Sequence, residues 1–262
     1  MSDNGSSMRA HIFDMDGTLL HGTTAPVLLA AALGEPEALA ALETRFSSGA
    51  ATTVQFARAL HDMWGVVAPE VAQQAFAAAP VVANVREVLA DIRRRDERSC
   101  LITMSPDYFA EQFLDFGFDA VYASRFPRSA TTPLDESAIL SPEDKPRLAA
   151  RFCAEHGLTM DDAIAYGDSM SDVFLFEQVG VRVSQRRPPP RRAVRHRGRG
   201  HRPVARLPCR ARALRRRLLG PQNADLLHCL AALAPVSGRG TVFIERGLTY
   251  RGEAAQPADA PA

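Results

Sequence analysis

The sequence predicts an α/β fold: a parallel sheet of short buried strands, with a small all-helical segment inserted after the first strand. Three observations predict it. The apolar pair Ile12-Phe13 runs into Asp14, and Gly17 then turns the chain, as at the carboxyl end of a buried parallel strand. Short apolar runs recur at Ser99–Thr103, Phe118–Ala123, Ala163–Tyr166 and Val181–Val183, with amphipathic helical patterns among them. Residues 21–79, rich in Ala, Leu, Phe and Glu, keep helical spacing with no strand signal.

The first strand ends in Asp14-Met15-Asp16-Gly17-Thr18. Ligands of open α/β sheets bind at the carboxyl ends of the strands. Two carboxylates held on one face there are costly unless a cation compensates them, and Mg²⁺ is bound by one or two carboxylates together with substrate phosphate oxygens. Helices are predicted at 25–33, 35–46, 53–64 and 69–78, three or four in all. The α/β pattern resumes at Val81, with an amphipathic helix over 85–95. The strand Ser99–Thr103 leads into Thr103-Met104-Ser105-Pro106-Asp107, where Ser105 reads as a helix N-cap with Pro106 at the first helical position. Residues 126–140 read as loop or hairpin. Ser141 with Pro142 reads as the start of a helix to His156 that carries Lys145 near its beginning. The strand 163–166 ends in Gly167-Asp168-Ser169-Met170-Ser171-Asp172, two acids four apart, followed by a helix over 173–179.

These four stretches, in this order, resemble the four motifs of the haloacid dehalogenase (HAD) superfamily, in its phosphoserine-phosphatase-like branch. The resemblance covers residues 10 to 184. It implies a Rossmann-like core, residues 8–20 and 82–184, and a helical cap, residues 21–81, that closes over the site. It implies Asp14 as a nucleophile that forms an aspartyl-phosphate and Asp16 as the general acid and base. Thr103, with Ser105 as the alternative, and Lys145 would bind the phosphoryl group. Asp14, the backbone carbonyl of Asp16, and Asp168 would hold Mg²⁺, with Asp172 behind them orienting metal waters or Lys145. The second Asp separates this chain from the superfamily's dehalogenases, which lack it, and from transport ATPases, which carry Thr there. Phosphomutases keep both acids and are the alternative enzyme reading.

The resemblance also bears on substrate. Phosphoserine phosphatases carry a Glu shortly after the two Asp residues; here that offset falls on Thr23, and no acid occurs before Glu35. His21, Thr23 and Thr24 are therefore expected to form a neutral polar pocket that suits a small sugar, cyclitol or polyol phosphate better than phosphoserine.

The net charge of +1 conceals an asymmetry. Of 31 basic residues, 15 are arginines between Arg182 and Arg217, leaving 16 against 30 acidic residues, a net of −14. Residues 185–217, dense in Arg, Pro and Gly, do not suit a buried strand. They contain no aromatic residue for base stacking, so nucleic acid is an unlikely partner, although a nucleic-acid-binding protein led by this segment is the non-enzyme alternative. A one-base shift through Ser184–Arg191 permits Val-Asn-Ala-Asp-His-His-Leu-Ala, similar to the family's own continuation, so the segment is read as a frameshift product. Beyond it, a helix over 224–233, a strand over 241–244 and a disordered end are expected. The four cysteines, Cys100, Cys153, Cys209 and Cys229, form no CxxC pair and read as reduced thiols. No apolar run reaches the roughly 20 residues of a membrane helix, and no signal segment is legible, so a cytoplasmic protein is expected.

Overall fold

The computed structural model describes residues 8–184 and the backbone of 240–243. Six parallel strands form the sheet: β1 (Ala10–Phe13), β2 (Arg98–Pro106), β3 (Ala120–Ser124), β4 (Ala163–Gly167), β5 (Val181–Ser184) and β6 (Gly240–Phe243), in the order β3-β2-β1-β4-β5-β6. The order reverses beside β1, between β2 and β4, and such a switch point leaves a crevice at the strands' carboxyl ends.

Alternation along β1 divides the core. Phe13 is in register with Leu101 and Tyr166, and these three face one layer. Ile12 is in register with Cys100 and Ala165, and these face the other, against Leu148, Phe152 and Leu175. All four residues of β1 are buried, as the central strand of a parallel sheet requires. Phe13 and Tyr166 stack with ring centroids 4.3 Å apart. Cys100 and Cys153 are free thiols in the second layer.

Four helices stand between β1 and β2: α1 (Ala25–Leu33), α2 (Pro36–Ser47), α3 (Thr53–Trp64) and α4 (Pro69–Ala77). Thr24 caps α1 and Thr52 forms a capping box with Gln55 on α3. The segments that leave and return are zipped together: the His21 amide donates to the Pro80 carbonyl at 2.9 Å, and the Val82 amide to the Leu19 carbonyl at 2.9 Å. The apolar interior of these helices (Leu29, Leu39, Leu42, Leu60, Ala72) is continuous with the Phe13 layer. Phe76 of α4 packs edge-on against Phe109 and Phe113, centroids 5.3 and 5.0 Å away, and Arg58 of α3 pairs with Glu136 on the opposite loop.

The helix α5 (Val85–Arg94) buries Val85, Val88, Leu89 and Ile92, a stripe at helical spacing. The short helix α6 (Asp107–Ala110) follows β2, α7 (Asp144–Glu155) precedes β4, and α8 (Val173–Phe176) precedes β5. Several boundaries differ from the sequence reading. The strand β2 continues to Pro106, so Ser105 is a strand residue and Pro106 takes the N-cap position of α6. The strand β3 begins at Ala120, leaving Phe118 to pack against Phe13 at 5.6 Å. The helix α7 begins at Asp144 and not at Ser141, because the Asp144 carboxylate takes both the amide and the hydroxyl of Ser141, each at 2.9 Å. Ser141 thus donates where an N-cap side chain accepts. The helix α8 ends at Phe176, three residues early. The expectations for residues 185–217 and for a helix over 224–233 lie outside the described residues. No helix among the described residues is long and apolar enough to cross a membrane.

Candidate active site

The functional side chains converge at the carboxyl ends of β1, β2 and β4. The Asp14 amide continues the ladder by donating to the Tyr166 carbonyl at 2.9 Å, so the residue leaves the sheet in register. Gly17 then turns with φ +78°, a conformation that L side chains rarely adopt, and a Cβ there would collide with the Asp168 carboxylate. Gly167 is needed for a similar reason: a Cβ would strike the Asp172 carboxylate. Gly17 thus lets the β1 loop approach the β4 loop, and Gly167 lets the β4 loop fold back on its own strand end.

Lys145, at the start of α7, is 1% exposed. Its ammonium donates to Asp14 Oδ1 at 2.7 Å and Asp172 Oδ1 at 2.6 Å, with Ser171 Oγ at 3.4 Å. Burial alone would lower the Lys145 pKa, but the charges of Asp14 and Asp172 outweigh it and hold the amine protonated. Asp172 is also 1% exposed, and its other oxygen accepts the amides of Asp168 and Ser169 at 3.2 and 3.1 Å. Asp172 is therefore committed to fixing the β4 loop and the lysine. Asp14 Oδ2 accepts from the Thr18 hydroxyl at 3.1 Å.

Asp16 sits in different company. Its Oδ1 accepts the Ala25 amide at 2.6 Å, the first turn of α1, and its Oδ2 accepts the hydroxyls of Ser105 at 2.7 Å and Thr103 at 3.2 Å. Burial raises the Asp16 pKa, opposed by those donors. A raised carboxyl among neutral donors suits proton transfer near neutral pH.

Oxygens of Asp14, Asp168 and Asp172 lie within 4.8 Å of one another, the spacing of a metal site. Among the described residues, Asp14 and Asp172 share the Lys145 ammonium, with Asp168 beside them and Asp16 two residues from Asp14. Burial first, and then the charge of Asp172, push Asp14 well above the usual carboxylate range, against the pull of Lys145. An all-oxygen donor set of carboxylates fits a hard divalent cation such as Mg²⁺. Asp172 holds Lys145 on one oxygen and two amides on the other, and Asp14 holds Lys145 on one oxygen and the Thr18 hydroxyl on the other.

The predicted substrate residues are dispersed. His21 is exposed at the hinge, with no side-chain contact to the cluster. Thr23 is half-buried and touches the Asp loop through its backbone, its carbonyl accepting the Gly17 amide at 3.2 Å. The neutral pocket expected around Thr24 is not neutral: Thr24 Oγ donates to Glu43 Oε1 at 3.2 Å. Burial raises the Glu43 pKa, and the charge of Asp16 adds to that rise. Sequence reasoning missed Glu43 because it looked only at the residues following Asp16. A signal existed: Glu43 falls on the inward stripe of α2, with Leu39 and Leu42. It also missed Thr18, although Thr18 belongs to the Asp14 motif itself.

Solved structures with the same arrangement of elements support this fold. A substrate-bound phosphoserine phosphatase matches at 16% identity and TM-score 0.57, over 68% of this chain and 85% of that one. A phospho-aspartyl intermediate analogue of phosphoserine phosphatase matches at 16% identity and TM-score 0.57, over 68% and 86%. A HAD family hydrolase of Salmonella enterica subsp. enterica serovar Typhi matches at 16% identity and TM-score 0.60, over 68% and 63%. No curated protein matches the sequence. Residues 12–177, more than half the chain, match the family model of haloacid dehalogenase-like hydrolases and span every group just described, so the chain belongs to that family.

Proposed function

We propose that the protein is a Mg²⁺-dependent phosphomonoester hydrolase of a small phosphorylated metabolite. The observation that carries this reading is the contrast between its two strand-end carboxyl groups. Asp14 is paired with Lys145, as a nucleophilic carboxylate needs to be, and Asp16 is surrounded by neutral donors that leave it able to carry a proton. The named activities of the structural neighbours, phosphoserine phosphatases among them, agree with it.

In this reading an Asp14 oxygen forms a bond to phosphorus, the ester P–O bond breaks, and Asp16 gives its proton to the leaving alcohol. Asp16, now ionised, takes a proton from water as that water attacks phosphorus, and the P–O bond to Asp14 breaks to release phosphate. Lys145, Thr103 and Ser105 supply donors for the phosphoryl oxygens. Mg²⁺, held by Asp14, the Asp16 carbonyl and Asp168, would supply the charge neutralisation that brings two anions together. Asp172 keeps Lys145 oriented. The helices α1–α4 exclude water from the site. The substrates favoured are sugar, cyclitol or polyol phosphates, because the position after Asp16 that would carry an acid is Thr23. A cytoplasmic location accompanies this reading.

The test is phosphate release from an aryl phosphate, with and without Mg²⁺, by the wild type and Asp14→Asn. Magnesium-dependent release that falls to background in Asp14→Asn supports it. Release that survives the substitution removes it.

A further inference from the structure

Glu43 is the one acidic side chain of α1–α4 whose described contacts lead to the strand-end carboxyl groups. It projects from the inward stripe of α2, where its helix neighbours Leu39 and Leu42 are buried. Its Oε1 is fixed by the Thr24 hydroxyl at 3.2 Å. Thr24 immediately precedes Ala25, whose amide holds Asp16 Oδ1 at 2.6 Å. One residue of backbone thus separates the Glu43 anchor from the grip on Asp16. The remaining oxygen, Oε2, accepts no hydrogen bond from any described residue, although the side chain is half-buried. A half-buried carboxylate with one oxygen held and one open is a positioned acceptor.

What would occupy that acceptor follows from its place. The Glu43 carboxylate lies near enough to Asp16 to feel its charge, and its anchor Thr24 adjoins the amide that holds Asp16. In the reading above Asp16 protonates the leaving alcohol, so Glu43 is on the alcohol side of the site. The phosphoryl group is served by Lys145 and the hydroxyls of Thr103 and Ser105 on the other side of Asp16. We infer that Glu43, held by Thr24, reads the alcohol portion of the substrate by accepting hydrogen bonds from its hydroxyl groups, and so selects polyhydroxylated phosphate esters. This rests on the phosphatase reading above and adds to it the residue that sets the substrate class. Removing the acceptor would leave substrate hydroxyls buried and unpaired, and a hydrogen bond to a charged group is worth a factor of about 10 to 100.

The experiment compares glycerol 1-phosphate with n-propyl phosphate, which has the same skeleton without hydroxyls, and adds phosphoserine as an ester that bears an ammonium group. kcat/KM is measured with Mg²⁺ for the wild type, Glu43→Ala and Glu43→Gln, with melting curves alongside. The wild type is expected to prefer glycerol 1-phosphate to propyl phosphate. Glu43→Ala is expected to cut that preference by about 10- to 100-fold. Glu43→Gln, of equal size and still able to accept from Thr24 and from a hydroxyl, is expected to retain more of it. A preference unchanged in Glu43→Ala overturns the inference, as does an equal loss on both esters, which would mark the carboxylate as structural. A loss confined to phosphoserine overturns it too, in favour of an ammonium reader. If Glu43→Ala fails to melt cooperatively, Glu43→Met decides, being of similar length without an acceptor: a lost preference supports the inference and an unchanged preference overturns it. A wild type inert on all three esters and on aryl phosphate would instead remove the phosphatase reading itself.

Discussion

The two ends of β1 carry buried polar clusters of opposite design. At one end, His11 lies 1% exposed between the Tyr166 hydroxyl, 3.0 Å from its Nδ1, and Glu97, 3.0 Å from its Nε2. Arg95 in turn pairs with Glu97 at 2.8 Å. Glu97 holds both His11 and Arg95, so the carboxylate charge is matched, and of this group Arg95 Nε is left without a hydrogen bond. Three residues along the strand, Asp14 shares one ammonium with Asp172, while Asp16 and Asp168 stand close by. A balanced buried network fixes a structure. A buried cluster with surplus negative charge is costly on its own, and it persists where a ligand completes it. The strand that carries both shows that burial is common to structure and function, and that the charge balance tells them apart.

Lys145→Met should break this comparison most severely. It leaves Asp14 and Asp172 buried without their cation, at a cost of about 3–5 kcal/mol in stability, besides loss of turnover. Adding Asp172→Asn should restore part of the stability and none of the activity, read by denaturant melts.

Asp16→Asn should separate activity from stability. Turnover of an aryl phosphate should fall about 10²- to 10⁴-fold with removal of the proposed general acid and base. The Asp16 pKa is raised in the fold, so its contribution to stability is complete below the unfolded value near 3.8 and is lost as pH rises through the folded value. The variant lacks that loss. It should melt no lower than the wild type at pH 7, and its relative advantage should grow between pH 4 and the folded value.

Asp168→Asn tests the unbalanced end directly. Mg²⁺ at about 100 times its Kd should stabilise the wild type by about 2.7 kcal/mol. The variant should need far more Mg²⁺ for the same rise in Tm, and equal stabilisation of both would remove Asp168 from the metal site.

The smallest effect belongs to the balanced end. Burial lowers the His11 pKa, against the hydrogen bond that its ring makes to Glu97. A lowered folded pKa gives stability that is complete above the unfolded value of 6.5 and lost as pH falls through the folded value. The wild type should therefore lose stability below pH 6.5 more steeply than His11→Gln, with turnover at pH 7.5 little changed. Identical slopes would show that folding does not lower the His11 pKa.

Much of this was legible in one dimension because strand-end chemistry is local. Asp14, Asp16 and Gly17 follow one strand within five residues, and Gly167, Asp168 and Asp172 follow another, so their types and spacing could be read directly. The helical stretch 21–79 was legible for the same reason, since periodicity is a property of neighbours. Boundaries were less so. Whether Ser141 caps a helix depends on the Asp144 carboxylate turning back to it, and Ser105 reads as a cap until β2 is seen to extend through it to Asp16.

The sequence by itself determined the fold class, the order of the strands and helices, the family and the acids at the strand ends, because each rests on short-range pattern. Only the tertiary structure decided which carboxylates share Lys145, that Thr103 and Ser105 both turn to Asp16, and that Glu43 comes back to Thr24 from 19 residues along the chain. Those pairings depend on how α2 packs against α1 and how α7 packs against the sheet. Packing is settled by shape and burial summed over the whole core, which no local window of sequence contains.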